Sequence, residues 1–307
     1  QPRSPKPTVA RYNPPARRGA AVPELPEVET VVRDLRPHLA GRRIVRVRAG
    51  DKPLRRAWSA DWAAALAGRR VSAVRRRGKW ILIDLDRGLL VAHLGMTGRL
   101  TAGPADRPVE DHTHFVADLE DGGQLRFRDV RRFGSIAYHS DAAEVEAILN
   151  GQLGPEPFDL APADFRRALA ATARPLKAAL LDQRLVAGVG NIYADESLFE
   201  AKLPPGKLGR ATTPGEADRL RKAIVKVLTR AIDRRGSSIR DYVGGSGGRG
   251  SYQHEFRVYG RTGEPCRRCG TPIARARLAG RSTHYCPNCQ SPGVGRRPSK
   301  ARLKAAR

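Results

Sequence analysis

The sequence predicts an α+β protein: a β-sandwich or barrel entered through one helix, then a helical region, then a cysteine-bearing β-hairpin. Three observations carry this. Short runs rich in Val, Ile and Leu, separated by Gly or Asp turns, fill the stretch from Arg43 to Tyr138. The apolar period then changes to that of amphipathic helices. All four cysteines lie between positions 266 and 289.

The elements follow in order. Residues 1–22 hold Pro2, Pro5, Pro7, Pro14 and Pro15 among Arg, Lys and Ala, and are expected to be a disordered basic extension. Pro26 suits a first helical turn, and Val28, Val32, Leu35 and Leu39 recur on one face. Strands are expected at 43–49, 70–76, 79–85, 89–94, 114–119, 124–128 and 135–138, within a domain spanning 23–150. Gly154-Pro155-Glu156-Pro157 marks a linker, 151–158. Helices are expected at 162–172, 175–183, 193–200 and 214–233, in a second domain, 159–250. That domain closes in a flexible loop, Gly244-Gly245-Ser246-Gly247-Gly248-Arg249-Gly250. Strands at 255–259 and 272–285 frame the cysteines in a unit spanning 251–290, and 291–307 form a basic tail. There are no internal repeats.

With 307 residues, 40% of them hydrophobic, the chain can bury a sizeable core in roughly two domains. No window reaches the ~18 unbroken apolar residues of a membrane span. The amino terminus lacks the apolar run of a secretory signal. Lys and Arg total 57 against 31 acids, a net charge of +26. Residues 1–21 and 291–307 carry five and six cations and no acid, so the remainder keeps +15. A field of that sign on a folded body draws polyanions, nucleic acid above all.

Cys266-x-x-Cys269 and Cys286-x-x-Cys289 are separated by sixteen residues. Two thiolate pairs on tight turns can close a tetrahedron around one structural zinc and stabilise a short hairpin. Four sulfurs leave no open position, so such a metal is not catalytic. A redox dithiol would need only one pair. Clustering of this kind also points to a reducing compartment, hence the cytoplasm.

Several motifs, in order, resemble the formamidopyrimidine-DNA glycosylase family. They are Pro23-Glu24-Leu25-Pro26-Glu27-Val28-Glu29-Thr30, His93-Leu94-Gly95-Met96-Thr97-Gly98, Asp129-Val130-Arg131-Arg132-Phe133-Gly134, Leu153-Gly154-Pro155-Glu156-Pro157 and Gly188-Val189-Gly190-Asn191-Ile192-Tyr193-Ala194-Asp195-Glu196. The cysteine hairpin, opened by Val258-Tyr259-Gly260-Arg261, closes the match at about Gln290. The resemblance implies an N-terminal β-sandwich, a helix–two-turns–helix domain and a zinc-finger hairpin. It implies a monomeric bacterial base-excision repair enzyme, nucleoid-associated through its DNA, that removes oxidised purines from duplex DNA and cuts the strand at the abasic site. Leu25 and Val28 look more like this branch than like the endonuclease VIII-like sister branch, which prefers oxidised pyrimidines.

The resemblance also assigns roles. Pro23 matches the family nucleophile, a terminal proline amine; a helix-entry proline is the bland alternative. Glu24 matches the carboxyl that protonates the opening sugar, otherwise a first-turn glutamate. Glu27 would help shape the damage pocket. Lys79, beside Arg75-Arg76-Arg77, matches the active-site lysine that holds a phosphate, otherwise an edge-strand lysine. Met96, Arg131 and Phe133 match the trio that fills the hole left by an extruded base; for Met96 and Phe133 the alternative is core packing. Asn191 and nearby backbone amides would form an anion site, or Asn191 a plain helix cap. Arg281 would meet a phosphate and serve as proton donor in the elimination. His112 and Arg132, with His93 and His114, are further candidate DNA contacts. The loop 244–250 matches the damaged-base loop.

One departure matters. Pro23 is acylated by Val22 as written, and an amide nitrogen has no lone pair to donate. Val22 stands where the family has its initiator methionine; a GUG start would free Pro23 after processing. Two other readings remain: a damaged-DNA-binding module without catalysis, and an RNA- or ribosome-associated zinc protein, which the Pro23–Thr30 motif disfavours.

Overall fold

Two four-stranded antiparallel sheets face each other, and one helix runs from between them into a separate helical core. The computed structural model describes residues 22–50, 52–55, 57–238 and 243–291; the expected disorder of the extension and of most of the basic tail lies outside them. Helix α1 (Leu25–Leu39) is followed by β1 (Ile44–Ala49), α2 (Ala60–Leu66), β2 (Val71–Arg77), β3 (Trp80–Leu85), β4 (Leu89–His93), β5 (Gly98–Pro104), β6 (Thr113–Leu119), β7 (Gly123–Asp129) and β8 (Ser135–His139). The sheets run β1-β6-β7-β5 and β2-β3-β4-β8. In β3 the alternation of side chains sends Ile81 and Ile83 to the core between the sheets and Leu82 to the opposite face. Helix α3 (Ala142–Gln152) covers that opposite face with Val145 and Leu149.

Beyond α3 come α4 (Pro162–Ala170), α5 (Leu176–Leu181), α6 (Asn191–Glu200) and α7 (Pro214–Asp233), then a hairpin of β9 (Ala274–Leu278) and β10 (Arg281–Tyr285). Thr213 caps α7 and Glu216 answers it, two donors satisfied by one reciprocal pair. The face of α7 bearing Leu220, Ile224, Val227 and Leu228 joins α4, α5 and α6 in a second core.

Helix α1 belongs to both halves. Val28, Val31, Val32, Leu35 and Leu39 lie in the sandwich core, whereas Leu25 is buried in the helical core. Three expectations change. The stretch 255–259 is not a strand: a short 3-10 turn (Tyr252–Glu255) precedes it and its amides are spent on a carboxylate. The linker expected from 151 begins inside α3. The loop 244–250, expected to be flexible, is seated on α1 by hydrogen bonds. Among the described residues no helix is long and apolar enough to cross a membrane.

Candidate active site and nucleic-acid interface

The α1 terminus inserts into the start of α6. Leu25 N donates to Gly188 O at 3.1 Å. The Glu24 carboxylate, 3% exposed, accepts from Gly190 N at 2.7 Å, Ile192 N at 2.9 Å and Tyr193 N at 3.4 Å. A Cβ at Gly188 would lie 2.6 Å from Leu25, and one at Gly190 2.3 Å from Glu24. The glycines of this motif therefore admit the Pro23-Glu24-Leu25 segment. The anion site expected at these amides is already filled, by the protein's own carboxylate, and Gly190 rather than Asn191 is the cap residue. Asn191 opens α6; its side chain meets Tyr259 while its buried Oδ1 has no partner.

Pro23 is buried beside this junction. Burial pushes the Glu24 carboxyl up, opposed by Lys79 and by the α6 amides. Burial pushes the Lys79 ammonium down, opposed by Glu24 and Glu27 and reinforced by Arg281. These shifts put Glu24, Glu27, Lys79 and Arg281 in one electrostatic neighbourhood. Glu27 accepts from the Tyr193 hydroxyl at 2.5 Å, Ser237 N at 2.7 Å and Glu24 N at 2.9 Å. Burial, and then the nearby Glu24, raises it to about 7.

The arginines before Lys79 form no ridge for phosphate. Arg75 pairs with Asp84 at 2.6 Å and with Glu146; Arg76 pairs with Glu29 at 3.0 Å and Glu156 at 2.7 Å; Arg77 pairs with Glu156 at 3.3 Å. Glu156 also takes Gly78 N at 2.6 Å, tying the Gly-Pro-Glu-Pro linker to the β2–β3 turn.

Met96, Arg131 and Phe133 sit on two turns at one end of the sandwich. Asp129, fully buried, accepts from the Thr97 hydroxyl, from Arg131 N at 3.2 Å and from Gly134 N at 2.7 Å, so one carboxylate binds both turns together. The Arg131 guanidinium lies 4.7 Å over the Phe133 ring. Met96 is only 6% exposed, so in the free protein it packs as a core residue would. His112 and Arg132 are exposed and adopt left-handed backbone, φ 66° and 53°. His93 and His114 are buried. His93 is held neutral, its pKa lowered to about 3 by burial and by Lys79, and so offers no charge to a phosphate. His114 is spent on Asp129 O at 3.0 Å.

The cysteine Sγ atoms all lie within 4.8 Å of one another, with Cys266–Cys289 at 4.0 Å and Cys269–Cys286 at 3.5 Å. A tetrahedron of ~2.3 Å Zn–S bonds has edges of ~3.8 Å, so the set fits zinc. The hairpin docks on α6 through His284, whose N and Nδ1 meet Asp195 Oδ2 at 3.0 and 3.2 Å. Lys177, fully buried, donates to Asp195 Oδ1 at 2.5 Å and to Asn191 O at 2.8 Å. Glu196 accepts from the amides of Arg257, Val258 and Tyr259. Arg281 stands at the start of β10, half-buried. Sequence reasoning missed Asp129, Lys177, Asp195 and Glu196. The signal for the last two was present: adjacent acids inside a helix that carries Ile192, Tyr193, Ala194, Leu198 and Phe199 around them.

Three family models match: the formamidopyrimidine-DNA glycosylase N-terminal domain over 22–136, the formamidopyrimidine-DNA glycosylase H2TH domain over 153–243, and a zinc finger found in FPG and IleRS over 263–292. The formamidopyrimidine-DNA glycosylase of Geobacillus kaustophilus is 44% identical over 274 residues, 88% of this chain and 100% of that protein. That of Desulforamulus reducens is 46% identical over 276 residues, covering 88% and 99%. Among solved structures, a Lactococcus lactis FPG variant in complex with Fapy-dG containing DNA superposes with a TM-score of 0.81 at 37% identity, covering 88% of this chain and 100% of that one. MutM (FPG) of Thermus thermophilus gives 0.77 at 44% identity, with the same coverage. Fold, cysteine tetrad and sequence agree: the chain belongs to the formamidopyrimidine-DNA glycosylase family.

Proposed function

We propose that the protein removes oxidised purines, 8-oxoguanine and formamidopyrimidines, from duplex DNA and then cuts the strand by β,δ-elimination. The reading is supported by relatives named for that activity and by solved neighbours holding Fapy-dG, abasic-site and 8-oxo-G DNA. One observation carries the chemistry: a buried proline and glutamate sit at a helix start within the field of a lysine and an arginine.

The free Pro23 nitrogen attacks the sugar C1′, the bond to the damaged base breaks, and the base leaves with the electron pair and takes up a proton. Glu24, its carboxyl raised by burial, protonates the ring oxygen as the sugar opens and the iminium forms. The iminium withdraws electrons from C2′; loss of a C2′ proton expels the 3′ phosphate, and a second elimination expels the 5′ phosphate. Lys79 and Asn191 hold phosphates beside the lesion. Arg281 donates to the departing phosphate oxygen. Met96, Arg131 and Phe133 fill the vacated stack, with His112 and Arg132 on the backbone. The zinc supplies structure alone and keeps the Arg281 hairpin folded. We assign residues 23–150 to the nucleophile, the void-filling side chains and the backbone contacts of Lys79, His112 and Arg132, and 159–250 and 251–290 to the rest of the phosphate grip, through Asn191 and Arg281. As the relatives are bacterial, we place the protein on the chromosome in the cytoplasm.

The nucleophile requires a Pro23 nitrogen free of Val22. A chain beginning at Pro23 should be trapped covalently by borohydride on 8-oxoguanine duplex, and one retaining residues 1–22 should not. Trapping of the capped chain, or none with the free one, overturns the mechanism. Stronger trapping on oxidised pyrimidine would move the protein to the sister branch.

A further inference from the structure

Asp34 lies two turns after Glu27 on α1, on the same side of the helix. Its side chain is 9% exposed and lies under the glycine-rich loop. It accepts from Arg235 Nη2 at 2.9 and 2.7 Å, from Ser246 N at 3.3 Å and from Ser246 Oγ at 3.1 Å. Arg235 holds left-handed backbone, φ 61°, an arrangement that costs energy and that its neighbours must enforce.

The loop is rooted in the site. Ser237 N donates to Glu27, and Ser237 Oγ lies 3.2 Å from the Tyr193 hydroxyl. The returning strand is stitched alongside, by Gly250 N to Ser238 Oγ at 2.9 Å and Tyr252 N to Gly236 O at 3.0 Å. The far arm is a tight turn, Gly244 N to Gly248 O at 2.7 Å, and Ala102 N on β5 donates to Gly245 O at 3.1 Å. A Cβ at Gly244 would sit 2.4 Å from Asp34 Oδ2; one at Gly245 would sit 2.9 Å from Val31 O. These two glycines therefore serve close seating on α1.

We propose that Asp34 is a positioning residue: by holding Arg235 and Ser246 it fixes the loop whose root, Ser237, is bonded to Glu27, and so governs base excision but not strand cleavage. The inference rests on the function proposed above. A loop ordered before DNA arrives saves ordering cost when the base enters. A duplex already lacking the base has nothing to place against that loop.

Steady-state excision of 8-oxoguanine and cleavage of a preformed abasic duplex are compared in chains with a free Pro23. Asp34→Asn and Arg235→Gln should each lower kcat/KM for excision about fivefold, the scale of one ordered side-chain cluster, with abasic cleavage within about twofold. The double variant should be no worse than either single one, because both remove one interaction. Arg235→Lys should keep most excision. Hydrogen exchange of residues 243–250 in the free protein should accelerate in both broken variants and not in the lysine variant. Equal loss on both substrates, additive losses, no loss, or unchanged exchange overturns the proposal. A parent chain that cuts abasic duplex but excises no oxidised purine overturns the proposed function itself.

Discussion

The proposed catalytic junction and the proposed void-filling turns are built on opposite plans. At the junction three charged side chains are buried and answered, Glu24 by three amides, Glu27 by a hydroxyl and two amides, Lys177 by a carboxylate and a carbonyl, and Asn191 Oδ1 beside them lacks a partner among the described residues. At the turns, His112 and Arg132 are exposed in left-handed backbone, and a single carboxylate, Asp129, binds the two turns. The junction is ordered before substrate arrives, as bond-making requires. The turns are tied to one another by that carboxylate and stand at one end of the sandwich, where the proposed insertion into a stack takes place. Substitutions in the first region should therefore strike rate, and in the second affinity.

The largest expected effect is at Glu24. Glu24→Gln should slow excision by about a thousandfold while leaving lesion-duplex affinity within about threefold. A change confined to affinity would erase the contrast. Next comes the metal. Chelation should unfold the hairpin, release His284 from Asp195, and weaken DNA binding by about a hundredfold, as followed by anisotropy. Retention of affinity without metal would detach the hairpin from the grip.

A smaller effect is expected in pH dependence. The folded pKa of His93, about 3, lies below the ordinary 6.5, so its contribution is present above pH 6.5 and lost as pH falls toward 3. Glu27, raised to about 7, runs the other way: its contribution is present below about 4.5 and lost as pH rises through 7. The two oppose between 4.5 and 6.5. His93→Asn should relieve about 2 kcal/mol of destabilisation at pH 5 relative to pH 7, read from urea midpoints. An offset equal at both pH values would contradict a neutral His93. The smallest effect is at the turns. Phe133→Ala or Arg131→Ala should weaken lesion-duplex binding about tenfold with kcat nearly unchanged.

Where a side chain repeats with a period, the sequence was informative. The β3 run and the α7 face could be read directly, and the cysteine spacing named its metal. Strand β5 escaped because Gly98, Gly103 and Pro104 thin its pattern, as an edge strand tolerates. Helix α3 escaped because it covers a sheet with only Val145 and Leu149 fully buried. At the proposed site, local motifs singled out Pro23, Glu24 and Asn191, which the fold brings together where α1 meets α6. They could not disclose that Glu24 would occupy the α6 amides, nor that Arg75, Arg76 and Arg77 would be spent on Asp84, Glu146, Glu29 and Glu156. Apart from Arg75–Asp84, nine residues apart across the β2–β3 hairpin, those pairings join positions far apart in the chain, and no periodicity records them.

Leu25 is rooted in the helical core while the rest of α1 is rooted in the sandwich. The first residues of the family motif thus act as a peg between two bodies, and the proposed reactive end lies where they meet. Separated by proteolysis or gene splitting, the halves would each keep a core, but the Glu24 carboxyl beside the proposed nucleophile would face water instead of three amides. Activity should then return only when the two fragments are mixed, with a concentration dependence set by their affinity for one another.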